Sequence, residues 1–211
     1  MAVLINPTVR RVETADERYT HADFMRLAPE DKKAELIDGE IIIMSPPFDI
    51  HERLQGFLFL SIGFFVSRFQ LGQVRGSRTA VYISETETYE PDLLFVRQER
   101  EHIITERELT EAPDLVIEIL SAGTARYDRG RKLQNYSKAG VQELWLIDPY
   151  GPTGTNFYQR QGDKLVEVAP IDGLIHSNTL PNFKLRLAWL WSDANGKLPN
   201  PVDVLNELGV R

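Results

Sequence analysis

Two acidic residues lie in apolar segments where a carboxylate needs a partner. Asp92 follows Pro91 at the start of an apolar run that ends at Val96, and Glu118 lies inside the run Leu115–Leu120. An unpaired carboxylate removed from water costs several kcal/mol or takes up a proton, so such a residue usually meets a cation or hydrogen-bond donors. Two acids of this kind predict a metal site.

The spacing of the two acids allows them to meet. Glu118 follows Asp92 by 26 positions, which is enough for a strand, a connection and a second strand beside the first. Asp114 lies on the second strand too, but four positions from Glu118 correspond to roughly 13 Å at about 3.3 Å per residue. Asp114 and Glu118 therefore cannot share one ion. We interpret Asp114 as a strand opener and Asp92 as the partner of Glu118.

A basic helix is predicted to follow Glu118. The turn Ser121–Thr124 leads into a segment, 126–138, that holds five basic residues and one acid in a chain of net charge −7. Such a local reversal of sign suits a phosphate. A helix packed back on the sheet would bring the Lys132 ammonium toward the acids, with Tyr136 on the same helix face. We predict phosphate binding by three arginines of this segment: Arg126, Arg129 and Arg131.

Carboxylate oxygens from Asp92 and Glu118 suit Mg²⁺ or Mn²⁺, which keep several waters and bind substrate phosphate through their remaining positions. The chain has no cysteine and four histidines, which disfavours the common structural zinc sites. Glu35 is a candidate for a water-mediated metal contact, and His51 is a candidate donor to phosphate. Glu52 could complete the same site, although a first-turn acid is also favoured by the helix dipole.

Length and composition favour one domain. A chain of 211 residues with 42% hydrophobic content can bury a sizeable core. We predict an N-terminal arm at 1–18, a single domain at 19–191 and a C-terminal tail at 192–211. The N-terminus lacks a signal-peptide pattern and the strongest apolar stretch is too short to cross a bilayer, so we expect a cytoplasmic protein without membrane contact.

Turn signals and periodicity predict an α/β fold with a mixed central sheet flanked by helices. The Asp38-Gly39 turn predicts a hairpin, expected to form a small two-stranded ribbon. A helix at 51–69 is apolar on nearly every face, which indicates cover on both sides and a subunit interface on one of them. The remaining predicted elements are strands at 73–84, 92–96, 115–120 and 143–148, a helix at 125–139 ended by Gly140, and an accessory hairpin of 156–160 with 164–168.

Together, Pro91-Asp92, Glu118 and Lys132 resemble the PD-(D/E)XK nuclease superfamily, which has the restriction-endonuclease-like fold. The chain departs from the usual pattern at Leu120, two residues after the second acid, where the superfamily usually has a lysine. Lys132 is the replacement that we predict.

More narrowly, the chain resembles a widespread bacterial family of proposed restriction endonucleases that was long a domain of unknown function. The resemblance covers roughly Glu35 to Asp148 and implies the fold, a metal site, phosphodiester hydrolysis and a lysine that has moved to the helix. Its motifs are Glu35-Leu36-Ile37-Asp38-Gly39, Ser45-Pro46-Pro47 with His51, Ala112-Pro113-Asp114-Leu115, Glu118-Ile119-Leu120-Ser121, Tyr127-Asp128-Arg129-Gly130 with Lys132, and Gly140-Val141-Gln142-Glu143-Leu144-Trp145.

These residues predict a Mg²⁺-dependent endonuclease that acts on nucleic acid, with double-stranded DNA as the expected substrate and a homodimer or higher homo-oligomer as the expected assembly. In this hypothesis Asp92 and Glu118 hold the ion, and Lys132 orients or activates water and steadies charge on phosphate. One alternative, favoured by Leu120, is an inactive nuclease-fold module that binds nucleic acid or protein. Another is an acid-pair glycosidase, which would work in the presence of EDTA.

Overall fold

The computed structural model describes residues 9–11 and 18–210, so most of the predicted N-terminal arm lies outside the described residues. The described α-helices are α1 (His21–Leu27), α2 (Asp49–Phe69), α3 (Ala125–Tyr127), α4 (Leu133–Ala139) and α5 (Pro201–Glu207). The described strands are β1 (Val9–Arg11), β2 (Ala34–Ile37), β3 (Glu40–Met44), β4 (Gly72–Gly76), β5 (Ala80–Ser84), β6 (Glu87–Tyr89), β7 (Leu93–Arg97), β8 (Glu108–Leu109), β9 (Leu115–Ile119), β10 (Glu143–Ile147), β11 (Asn156–Gln161), β12 (Lys164–Val168), β13 (Leu174–His176) and β14 (Lys184–Arg186).

The central sheet has the strand order β12-β11-β10-β9-β7-β4. Its β9 and β10 are parallel, whereas β7 is antiparallel to β9, so the sheet is mixed. Helix α2 packs on one face of this sheet and α4 packs on the other, so the predicted α/β fold with a mixed central sheet is confirmed. The hairpin of β11 and β12, predicted as an accessory, extends this sheet beyond β10.

A second sheet has the order β1-β3-β2-β6-β5-β8. Asp38 and Gly39 both have positive φ, 54° and 74°, as the tight hairpin turn between β2 and β3 requires. The predicted hairpin is present, but the prediction that it forms a small two-stranded ribbon was wrong, because β1 pairs with the other edge of β3 and β6 pairs with β2. All four residues of β2 are buried, so its backbone groups need partners on both edges.

The strand predicted at 73–84 is two strands, β4 and β5, which belong to different sheets. The chain turns between them at Arg78, whose φ is 75°. Non-glycine residues rarely adopt that conformation, so the residue type gave no signal of a turn.

Helix α2 packs one side against the central sheet. Leu58, Ile62 and Phe65 join strand residues such as Ile117 and Trp145 in the largest hydrophobic cluster. The opposite side of α2 is open to solvent, and it carries three large apolar side chains: Phe59, Leu60 and Phe64. None of the helices in the described part of the chain combines the length and the apolarity that a bilayer crossing requires.

The helix predicted at 125–139 is interrupted by a π-helical segment, Asp128–Lys132, that separates α3 from α4. It ends as predicted at Gly140, whose φ of 98° is the left-handed conformation of a helix C-cap. Tyr136 of α4 packs in a second cluster with Val116 and Leu144, so α4 covers the face of the sheet opposite α2. π-Helical turns are frequent at functional sites because they redirect side chains within a helix.

Candidate active site

The strand register puts the two predicted acids side by side. β7 and β9 pair with Leu93 opposite Ile117. Asp92 comes directly before Leu93 and Glu118 directly after Ile117, so the two acids lie at the same end of this ladder. Both residues are 3% exposed, and both line one pocket of about 570 Å³.

The Asp92 carboxylate is held by three donors. Lys33 Nζ donates to Oδ1 over 2.7 Å, and Oδ2 accepts the Ile119 N–H at 2.8 Å and lies 3.1 Å from His51 Nε2. Burial opposes ionisation of Asp92, but Lys33 and His51 hold its pKa well below the ordinary range. Burial lowers the His51 pKa, but the hydrogen bond to Asp92 and the negative charges of Asp92 and Glu52 together raise it above its ordinary value. Asp92 is therefore an ionised group.

Glu118 has the opposite electrostatic character. Its Oε1 lies 2.8 Å from Lys132 Nζ and accepts the Tyr136 hydroxyl, also at 2.8 Å. Burial raises the pKa of Glu118 to about 7; Lys132 opposes that rise, while Asp128 and other nearby carboxylates add to it. A cation placed beside this carboxyl would favour the ionised form.

Lys132 is the centre of a buried charge cluster. Its Nζ lies 2.8 Å from Glu35 Oε1, 2.8 Å from Glu118 Oε1 and 3.1 Å from Asp128 Oδ1. Burial disfavours the ammonium, but the three carboxylates raise the Lys132 pKa well above its ordinary value. The backbone N–H of Glu90 donates to Glu35 Oε1 at 3.2 Å, which ties the cluster to the end of β6.

The remaining predicted residues fall into two groups. Glu52 lines the pocket with a side chain that is 59% exposed, so it lies at the opening rather than on the floor. Arg131 is engaged outside the pocket by Glu87 Oε1 at 2.6 Å, Arg129 donates to the Gly154 carbonyl, and Arg126 is exposed. None of the three arginines forms part of the pocket wall as far as the chain is described, and their phosphate-binding role stays a prediction.

Sequence reasoning missed Lys33 and gave Asp128 no role at the site. Lys33 precedes Glu35 by two positions, and alternation along an extended segment places both on one face, which is the signal that could have found it. Asp128 precedes Lys132 by four positions, the spacing of neighbours on one helix face. Neither spacing is rare enough to be decisive alone, because lysine and aspartate are common in surface segments.

The donor set fits a hard divalent cation. Asp92 and Glu118 offer carboxylate oxygens to the same pocket, and the Lys33 ammonium at 2.7 Å from Asp92 Oδ1 marks a position where positive charge is favourable. Lys33 is 24% exposed on the pocket wall, so its flexible stem can withdraw. Within the described ranges no group of three or more acids and histidines could hold an ion, so water or substrate oxygens would complete a Mg²⁺ shell.

A mixed sheet that brings an aspartate, a glutamate and a lysine to one pocket defines a protein of the restriction-endonuclease-like superfamily, which generally uses divalent metals. The chain belongs to the family described as "Putative restriction endonuclease" (Uma2), whose model matches residues 21–188.

The chain is also similar to two other proteins. The chain is 28% identical over 135 residues to an uncharacterized protein of Synechocystis sp., a match that covers 63% of this chain and 75% of that protein. The fold of this chain is similar to the crystal structure of a "putative nuclease belonging to DUF820" from Anabaena variabilis, with a TM-score of 0.64 and 21% identity. That match covers 90% of this chain and 98% of the Anabaena chain, and at this identity it shows a common fold.

Proposed function

We propose that this protein is a divalent-metal-dependent nuclease that hydrolyses phosphodiester bonds of nucleic acid. The observation that carries the proposal is that Asp92, directly before β7, and Glu118, on the adjacent β9, line one pocket, with Lys132 Nζ 2.8 Å from Glu118. Family membership supports the same class of activity.

The chain's own groups have distinct roles in this proposal. Asp92 and Glu118 would hold Mg²⁺ or Mn²⁺, which when bound supplies Lewis-acid charge at the phosphate and lowers the pKa of water. The raised pKa keeps the enclosed Lys132 amine protonated at neutral pH, so it cannot take a proton from water. Its role in this proposal is to keep Glu118 oriented. Lys33 is a partly exposed ammonium in the pocket, and it would leave Asp92 to contact a phosphate oxygen.

One observation favours a second candidate, the non-catalytic module. Asp92 already has three partners, Lys33, His51 and the Ile119 N–H, and a cation at this carboxylate must compete with the Lys33 ammonium 2.7 Å from Oδ1. If that exchange is unfavourable, the fold binds nucleic acid or protein without turnover. Titration with Mn²⁺ separates the candidates, because the nuclease must bind the ion at this pair.

The test combines ion binding and cleavage. Purified wild type, Asp92→Asn, Glu118→Gln and Lys132→Met are incubated with plasmid and single-stranded DNA in Mg²⁺, Mn²⁺ or EDTA, and Mn²⁺ binding is measured by calorimetry. Glu106→Gln is the matched control, because it removes an exposed acid that lies outside the pocket lining. We expect the control to cleave like the wild type, and the other variants and EDTA to abolish cleavage. Equal rates in all samples would overturn the assignment.

We also propose a homodimer formed through the open side of α2. Phe59, Leu60 and Phe64 are 41%, 46% and 57% exposed, and Gly56 and Gly63 on the same side have open space above them. This spacing forms one stripe along a helix, and an uncharged stripe is suited to a copy of itself. Light scattering of wild type and Phe64→Glu tests the assembly, with a monomeric variant as the expected result. A duplex substrate and a cytoplasmic location stay predictions.

A further inference from the structure

Two aromatic side chains stand in solvent at the opening of the pocket. Phe48 is 73% exposed and Tyr150 is 71% exposed, and both line the pocket whose floor holds the two acids. They are the most exposed large aromatic residues in the described ranges. Phe48 directly precedes α2 and Tyr150 follows β10, so separate parts of the chain bring aromatic rings to the same opening.

Folding stability does not explain either ring. Phe48 is the N-cap residue of α2 and its side chain makes no capping hydrogen bond, although serine, threonine, aspartate or asparagine stabilises that position. A ring that remains mostly in water also forgoes most of the free energy that burial would supply. The positions are therefore better explained by contact with a ligand than by packing within the chain.

The backbone on which each ring stands is constrained. Pro46 and Pro47 come directly before Phe48, and Pro149 comes directly before Tyr150, whose N–H donates to Asp148 Oδ1 at 2.9 Å. Proline fixes its own φ and restricts the residue before it, so the backbone that leads to each ring has limited freedom. Less backbone entropy is therefore lost when a ligand covers the rings.

The chemistry of the opening suits unpaired bases. Lys32, Lys33 and Arg78 line the pocket and offer positive charge to a phosphate backbone, against the acids Asp31 and Glu52 at the same wall. Aromatic rings stack on any base whose face is free, which is how sequence-tolerant single-strand binders work. In a duplex both faces of each base are covered by its neighbours, so a ring can reach a base only after it is flipped out.

We infer that Phe48 and Tyr150 stack on unpaired bases of single-stranded nucleic acid and so guide the phosphodiester backbone into the pocket above Asp92 and Glu118. This inference rests on the proposed function for the role of the pocket and adds the substrate class. It commits to a single strand rather than the duplex expected from the sequence.

The test measures affinity without cleavage. Fluorescence anisotropy in EDTA compares the full chain with three probes of equal length: a labelled single strand, the same strand with abasic sites, and its duplex, each made as DNA and as RNA. Phe48→Leu and Tyr150→Leu keep an apolar side chain but lose the ring, whereas Phe48→Trp keeps a stacking surface. Ile171→Ala is the control, because Ile171 is 70% exposed and lies outside the pocket lining.

We expect the wild type to bind the single strand more tightly than the duplex. Each leucine variant should lose roughly 5-fold to 100-fold in affinity for the single strand, the range expected for one stacked base. Phe48→Trp and the control should bind like the wild type, and the abasic strand should not distinguish wild type from the variants. The inference fails if the leucine variants keep wild-type affinity for the single strand, if the duplex binds more tightly, or if no probe binds.

Failure of this inference and failure of the proposed function are distinguishable. Base-dependent binding that the leucine variants lose, with no hydrolysis by Mn²⁺-loaded wild type, would overturn the nuclease and leave the stacking residues in place. Metal-dependent hydrolysis with unchanged affinity in the leucine variants would support the nuclease and overturn the stacking role of Phe48 and Tyr150.

Discussion

Replacing Lys132 by methionine removes the single cation that joins three buried carboxylates. Methionine keeps most of the apolar stem, so the change isolates the ammonium. The amine contacts Glu35 and Glu118 at 2.8 Å and Asp128 at 3.1 Å, and its side chain is 3% exposed. Removing one partner of a buried ion pair costs about 3–5 kcal/mol, because the other partner stays in a poorly solvated place. We therefore expect the free energy of unfolding at pH 7 to fall by about 3–5 kcal/mol.

Urea unfolding followed by tryptophan fluorescence measures this loss. Lys138→Met is the matched control, because Lys138 lies on the same helical run and is exposed. Adding Glu118→Gln to Lys132→Met should recover part of the stability, since a neutral amide replaces an unpaired carboxylate. The deficit should also shrink as the pH falls toward about 5, because the remaining carboxyls can then be protonated.

The measurement has a clear contrary outcome. A loss under about 1 kcal/mol, the size expected for an exposed lysine, would show that the Lys132 ammonium does not hold the cluster together. If Lys132→Met loses the full amount of about 3–5 kcal/mol in free energy of unfolding and the added Glu118→Gln recovers none of it, Glu118 is not the energetic partner of Lys132. Either result would refute the positioning role given to Lys132.

Three further predictions concern stability at residues other than Asp92, Glu118 and Lys132. Burial raises the pKa of Glu90 from 4.5 to about 7. Between these pH values the folded state keeps a proton that the unfolded chain has lost, so the free energy of unfolding should fall by about 3 kcal/mol as the pH rises through this window. In Glu90→Gln the midpoint of urea unfolding should vary less with pH over the same window. Glu143 is fully buried and accepts the Thr179 N–H at 3.2 Å and its hydroxyl at 3.0 Å, so Glu143→Ala should cost about 2–4 kcal/mol in urea unfolding and speed amide exchange in that loop. Gly72 has φ of 142° and an added Cβ would lie 2.1 Å from the Val96 carbonyl oxygen, so Gly72→Ala should lower the thermal midpoint, with a change under about 1 °C as the contrary result.

The central acid pair could be predicted because it depends on local patterns. The apolar runs around Asp92 and Glu118 define two strands, and a short connection leaves them as neighbours. Lys132 could be placed near them only because a helix that follows a strand tends to pack back on the sheet. Its four-residue spacing from Asp128 was visible in the sequence, but no local pattern says that both side chains turn inward.

Partners that come from distant parts of the chain could not be predicted. Lys33 meets Asp92 across 59 positions, and Arg131 meets Glu87 across 44 positions. A lysine or arginine has many carboxylates within reach in an unfolded chain, and tertiary packing alone selects one. The same reason explains the hairpin of β2 and β3, whose neighbours in the sheet come from segments that no hairpin signal identifies.

The position of the lysine has a consequence for how the site tolerates change. Leu120 occupies the place where the superfamily usually has its lysine, and it is 4% exposed in the cluster with Val116 and Tyr136. Lys132 contacts Glu35 of β2 and Asp128 of its own helical run as well as Glu118 of β9. The amine therefore joins both sheets and the helical run between them, so substitutions at the site alter folding as well as chemistry. Loss of cleavage in a Lys132 variant is informative about catalysis only when the same sample retains a cooperative unfolding transition.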